Sequence, residues 1–150
     1  AQATAALFGA VFVGFGLMSM AASSLLHVST APLAEVYTAS GTPAEDLRAI
    51  EYAWRGAQSV FDTMLATGTL LVPIGIILFG LALWRSLAFG SPISIFSVGL
   101  GIIGTIGGVI AVIVPGSMAA AVAVLAMVLF HLGVGWQMLR LRRGDLLVSG

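Results

Sequence analysis

Asp62, His27 and His131 are the residues of this 150-residue chain best equipped for chemistry, because each lies in or beside a long apolar run. Ionisable side chains at membrane depth are costly, and they commonly mark ion or proton pathways. His27 stands 22 residues beyond Ala5, and Asp62 stands 22 residues before Trp84. At ~1.5 Å per helical residue, both fall about 33 Å from the same membrane surface, close to the opposite one. If the helices carrying them are neighbours, the two meet. Arg55, Ser59, Asp62, Ala66, Thr69 and Pro73 follow one helical face, a stripe fit to line a small vestibule or proton inlet. Proton handling suits Asp62 and His27 better than nucleophilic attack, since no Ser-His-Asp arrangement is suggested. The plainer reading makes Asp62 a hydrated anchor at headgroup level, paired with Arg55 or His27.

His131 lies about nine residues inside the end of the last apolar run, roughly 13 Å deep. Gly14, Gly16, Gly75, Gly99 and Gly101 fall at the same level in the other runs. A ring of glycines around one imidazole leaves room for something flat. Axial His ligation is a common way to hold haem, and a chlorophyll-type magnesium can be held similarly. The plainer reading is a neutral His bonded to a Ser or to a carbonyl freed near Pro73, with no cofactor. The chain has no Cys, which removes disulfides, thiolate metal sites and thiol redox chemistry. It shows no P-loop, HExxH or paired intramembrane carboxylates. No catalytic residue is therefore assigned, and an enzyme is not expected.

The elements that must position these residues are four apolar stretches, Ala5–His27, Ala57–Trp84, Pro92–Val114 and Ser117–Leu139. Each is long enough for a ~30 Å hydrocarbon core. The sequence is 59% hydrophobic and 8% charged, where a soluble domain carries roughly 25% charged residues. The expected fold is all-α: a four-helix transmembrane bundle in a single domain, 1–150, with a short extramembrane helix between helices 1 and 2. The first stretch lacks a basic segment before it and exceeds a signal-peptide core, so it reads as a retained helix. All six basic residues are Arg, and no basic patch stands outside the membrane flanks. A nucleic-acid partner is not expected.

The segment from Val28 to Gly56 is polar. In it, Thr42-Pro43-Ala44-Glu45 reads as a helix start capped by Thr42, with Glu51 and Arg55 paired at i, i+4. This helix is expected to run on into the second span, where Pro73 should free a carbonyl. Ser91 is the expected cap of the third span. Pro115-Gly116-Ser117 makes spans three and four a tight hairpin, and Arg140, Arg142 and Arg143 stop span four. Arg85 joins these three on one side, against Arg48 and Arg55 on the other. The positive-inside rule then places a multi-pass protein in the cell membrane with both termini cytoplasmic.

Helices associate in lipid through close packing at small residues rather than through apolar burial. Gly101, Gly104, Gly108 and Ala111 share one face of span three. Span one offers Ala6, Ala10 and Gly14, and span four offers Ala119, Ala123 and Ala126. Such faces suit either internal packing or docking on other membrane subunits or a second copy. The run from Leu71 to Arg143, with LVPIGIILFGLALWR, the Gly-rich third span and the ending GWQMLRLRR, resembles small bacterial multi-helix membrane proteins of unknown function. This covers about half the chain and transfers no catalytic residue. An accessory or scaffolding membrane subunit is the expected function. The alternatives are a proton or small-solute transporter using Asp62 and His27, and a haem- or pigment-binding subunit using His131.

Overall fold

A computed structural model describes residues 2–84, 86, 89–114 and 117–148, the side chains of 143–148 excepted. The described residues form five helices: α1 (Gln2–Ser29), α2 (Ala31–Thr38), α3 (Ala44–Leu83), α4 (Gly90–Ile113) and α5 (Ala119–Val148). Four of them, all but α2, are long and apolar enough to cross a membrane. No strand occurs among the described residues. The expected all-α, four-span architecture is the one observed.

Several ends differ from the sequence expectation. α2 is a separate short helix with Pro32 in its first turn, a position that tolerates proline because its N–H would be unpaired anyway. Thr42 does not cap α3: its hydroxyl donates towards the carbonyls of Val36 and Ala39, closing the end of α2. Pro43 takes the N-cap position, and Glu45 and Asp46 sit in the first turn, where carboxylates favour the helix dipole. α3 then runs unbroken for 40 residues, about 60 Å. Ser91 does not cap α4 either. That helix starts two residues earlier, with Phe89 at the N-cap and Gly90 at φ +70°, a backbone angle that favours glycine. Arg140 and Arg142 lie within α5, which continues to Val148: these arginines mark the end of the apolar run rather than of the helix. Arg85 and Pro115-Gly116 lie outside the described residues, as does the side chain of Arg143.

α3 is the hub, packing on α1 along one flank and on α4 and α5 along the other. Among the described residues, no Cα of α1 comes within 8 Å of α4 or α5. Glycines at heptad spacing build the α1–α3 seam. Gly9 faces Gly75 and Phe79, Gly16 faces Val72, Gly68 faces Met20, and Gly75 faces Val13. The hydroxyl of Ser19 donates across this seam to the Met64 carbonyl at 2.8 Å. The α3–α4 seam is similar. Gly101 lies against Ile77 and Pro73, Gly104 against the Pro73 ring and Ala126, and Gly108 against the Thr69 carbonyl. There Ser94 donates to the Gly80 carbonyl at 2.6 Å. The α4–α5 hairpin closes on Gly107 against Ala119 and Ala123, and on Gly133 against Phe96. Val72, Ile76, Leu100, Ala123, Ala126, Met127 and Phe130 form the apolar centre.

Candidate functional site

The stripe on α3 that includes Asp62 does border a hollow. Asp62, Leu65, Ala66 and Thr69 of α3 enclose about 270 Å³ together with Ala111 of α4, Ser117 of the following link and Ala120 of α5. Asp62 is exposed at this site. One of its carboxylate oxygens accepts from the Gln58 side-chain amide at 2.9 Å, an i, i+4 bond. Thr69 is 1% exposed and donates its hydroxyl hydrogen to the Ala66 carbonyl. The Ser117 hydroxyl oxygen is shielded from solvent and has no hydrogen-bond partner among the described residues.

His27 does not join this group. Its ring lies 5.3 Å from that of Phe61, and it borders a separate crevice with Leu26, Thr30, Trp54, Ala57 and Gln58. Phe61 and Asp62 are successive residues, about 100° apart around the helix. The equal depths counted from sequence therefore do not produce a contact. Arg55 is paired elsewhere as well: its guanidinium meets Glu51 at 2.6 Å, the expected i, i+4 bridge. Neither expected partner of Asp62, Arg55 or His27, is bonded to it.

His131 is exposed on α5, with Nδ1 2.7 Å from the Met127 carbonyl. A carbonyl can only accept, so Nδ1 carries a proton and donates it to that carbonyl. Its ring meets Phe130 edge-on at 5.3 Å. The glycines expected to surround it are divided. Gly16, Gly75 and Gly101 are filled by neighbouring helices, whereas a Cβ at Gly14 or Gly99 would meet nothing within 4 Å. Glycines at one depth thus serve different seams, and they do not line a common slot.

Gly101, Gly104 and Gly108 are likewise used within the chain, against α3 and α5. The small-residue face left uncovered is on α1. Ala10 and Ala21 are exposed, and Gly14 faces open space. With Leu17, which is 44% exposed, they form a stripe at steps of four and three. Only 17% of the most apolar stretch of α1 is buried inside the chain, against 39% for α3.

Sequence reasoning missed a second hollow, of about 380 Å³. It lies between α2 and the start of α3, lined by Tyr37 and Trp54 with Glu51 and Arg55 at its edge. The meeting of Tyr37 with Trp54 depends on α2, which brings Tyr37 beside the start of α3.

Four apolar helices packed through glycine seams define a multi-pass α-helical membrane protein. Comparison with protein-family models, curated proteins and solved structures gives no match for the chain.

Proposed function

We propose that this protein is an accessory or scaffolding subunit in the membrane, docking on another membrane protein through the outer face of α1. The observation that supports this reading is the Ala10–Gly14–Leu17–Ala21 stripe. It keeps the small-residue pattern of a helix seam, yet nothing among the described residues covers it. A passing helix can approach such a face closely, gaining dispersion contacts that lipid tails match less well. The opposite face of α1, with Gly9 and Gly16, is already occupied by α3. Two small-residue faces on one helix suit a helix that joins its own bundle to a neighbour.

A Gly14→Leu variant tests this reading. The added side chain meets no atom within 4 Å of its Cβ in the chain, so the fold should tolerate it. In mild detergent, the complex extracted from native membranes should lose the partner's mass while the variant keeps its helix content and unfolding midpoint. A complex of unchanged mass would overturn the use of this face.

A further inference from the structure

We propose that the hollow between α3, α4 and α5 is a binding site for a small primary alkylammonium ion. It is entered from the membrane side opposite the two termini. This inference stands apart from the docking reading, since it uses neither α1 nor its outer face.

The lining sets the ligand's chemistry. Asp62 supplies one formal negative charge, and its second carboxylate oxygen has no hydrogen-bond partner among the described residues. Thr69, two turns further along α3, is 1% exposed and bonded to the Ala66 carbonyl, so it backs the hollow rather than meeting an occupant. The Ser117 hydroxyl oxygen is likewise shielded, with no partner among the described residues. The exposed Asp62 carboxylate is therefore the acceptor an occupant meets, and it calls for N–H or O–H groups. Between the polar points the wall is aliphatic: Leu65, Ala66, Ala111 and Ala120. A cationic head at Asp62 with a short hydrocarbon body along that wall matches both parts. An ammonium carries three donors, and its bond to a carboxylate is charge-assisted.

The charge of this end of the molecule agrees. Residues 28–62 hold five carboxylates, Glu35, Glu45, Asp46, Glu51 and Asp62, against two guanidiniums, Arg48 and Arg55, a net charge of −3. A cleft in a field of one sign concentrates the opposite ion at its mouth. The C-terminus of α4 and the N-terminus of α5 both end nearby, so their dipoles offset and the Asp62 carboxylate sets the local sign. Among the described residues no group of three His, Asp or Glu side chains is placed to hold a metal ion. A single carboxylate at the hollow matches a monovalent ligand.

The test is a saturation-transfer NMR titration of the full chain in mild detergent. The probe is n-butylammonium chloride, with sodium chloride and tetramethylammonium chloride as matched controls. n-Butylammonium should bind saturably, and Asp62→Asn should weaken it about tenfold or more, as expected for loss of a charged hydrogen bond. Asp62 is exposed, so this variant should fold. Ala120→Leu, which keeps the carboxylate and fills the hollow, should weaken binding as well. Tetramethylammonium, which has the charge but no N–H, should bind at least several-fold more weakly. Absence of saturable binding to the parent chain would overturn the proposal. So would an unchanged affinity in Asp62→Asn, or equal binding of tetramethylammonium.

Discussion

Replacing Gly75 by Ile should detach α1 from the rest of the bundle. A Cβ at Gly75 would stand 2.6 Å from Cγ2 of Val13, 2.8 Å from the Gly9 carbonyl oxygen and 2.9 Å from the Val13 nitrogen. Two of these three atoms are backbone, so no side-chain rotation relieves the overlap, and the helices must move apart. Overpacking of this kind costs about 1–3 kcal/mol, occasionally more. The upper end is expected here, because α1 has no contact with α4 or α5 to hold it among the described residues. Gly14→Ile is the matched control, with the same substitution on open space. Its effect should be near zero or slightly stabilising, since glycine is a poor helix former. Reversible unfolding in mixed micelles measures both. Equal midpoints for the two variants would contradict the seam.

Gly108→Ile should be the second severe change, for a reason rooted in Pro73. Proline has no N–H, so the Thr69 carbonyl, four residues earlier, lacks its usual helical donor. In the structure Gly108 lies directly over that carbonyl: a Cβ there would be 2.6 Å from the Thr69 oxygen and 3.1 Å from Cδ2 of Leu70. The glycine Cα–H groups can soften the exposed oxygen through weak C–H···O contacts. A β-branched side chain would push α4 off and leave the carbonyl facing hydrocarbon, where an unsatisfied polar group costs several kcal/mol. The expected loss is about 2–3 kcal/mol in the same unfolding measurement. Gly99→Ile, on the open face of α4, should leave the midpoint nearly unchanged. A Gly108→Ile protein as stable as Gly99→Ile would remove this account of the α3–α4 contact.

The spans were legible because hydropathy depends on residue type summed along a run, and these runs are long. The continuity of α3 from the Pro43 region was legible too, since no breaker intervenes and the Glu51–Arg55 pair supports a helix there. Rotation about each helix axis was much less legible. Counting rise placed Asp62 and His27 at one depth, but the turn from Phe61 to Asp62 sends them to different hollows. The same limit applies to His131, whose same-level glycines face several directions. On α1 a step of four suggested Ala6, Ala10 and Gly14, whereas α3 packs on Gly9 and Gly16. A spacing of seven was present in the sequence as a signal, at Gly9/Gly16, Gly68/Gly75 and Gly101/Gly108. It fits the 3.5-residue period of helices packed at a shallow angle. A short helix between the first two spans was expected to start at Pro43; it lies at Ala31–Thr38 instead. Pro32 reads as loop punctuation unless its place in a first helical turn is considered.

These seams leave a clear division of labour on α1. Its inner face is committed to α3, and its outer face presents Ala10, Gly14, Leu17 and Ala21 to whatever lies beside it. The most direct measurement is site-specific photocrosslinking along α1 in native membranes, scanning residues 10–21 one position at a time. The docking account predicts protein adducts at Ala10, Gly14, Leu17 and Ala21, with weak or no adducts at the exposed Phe15, about 100° round the helix from Gly14. Adducts spread evenly round the helix, or none at the four small-residue-face positions, would contradict it.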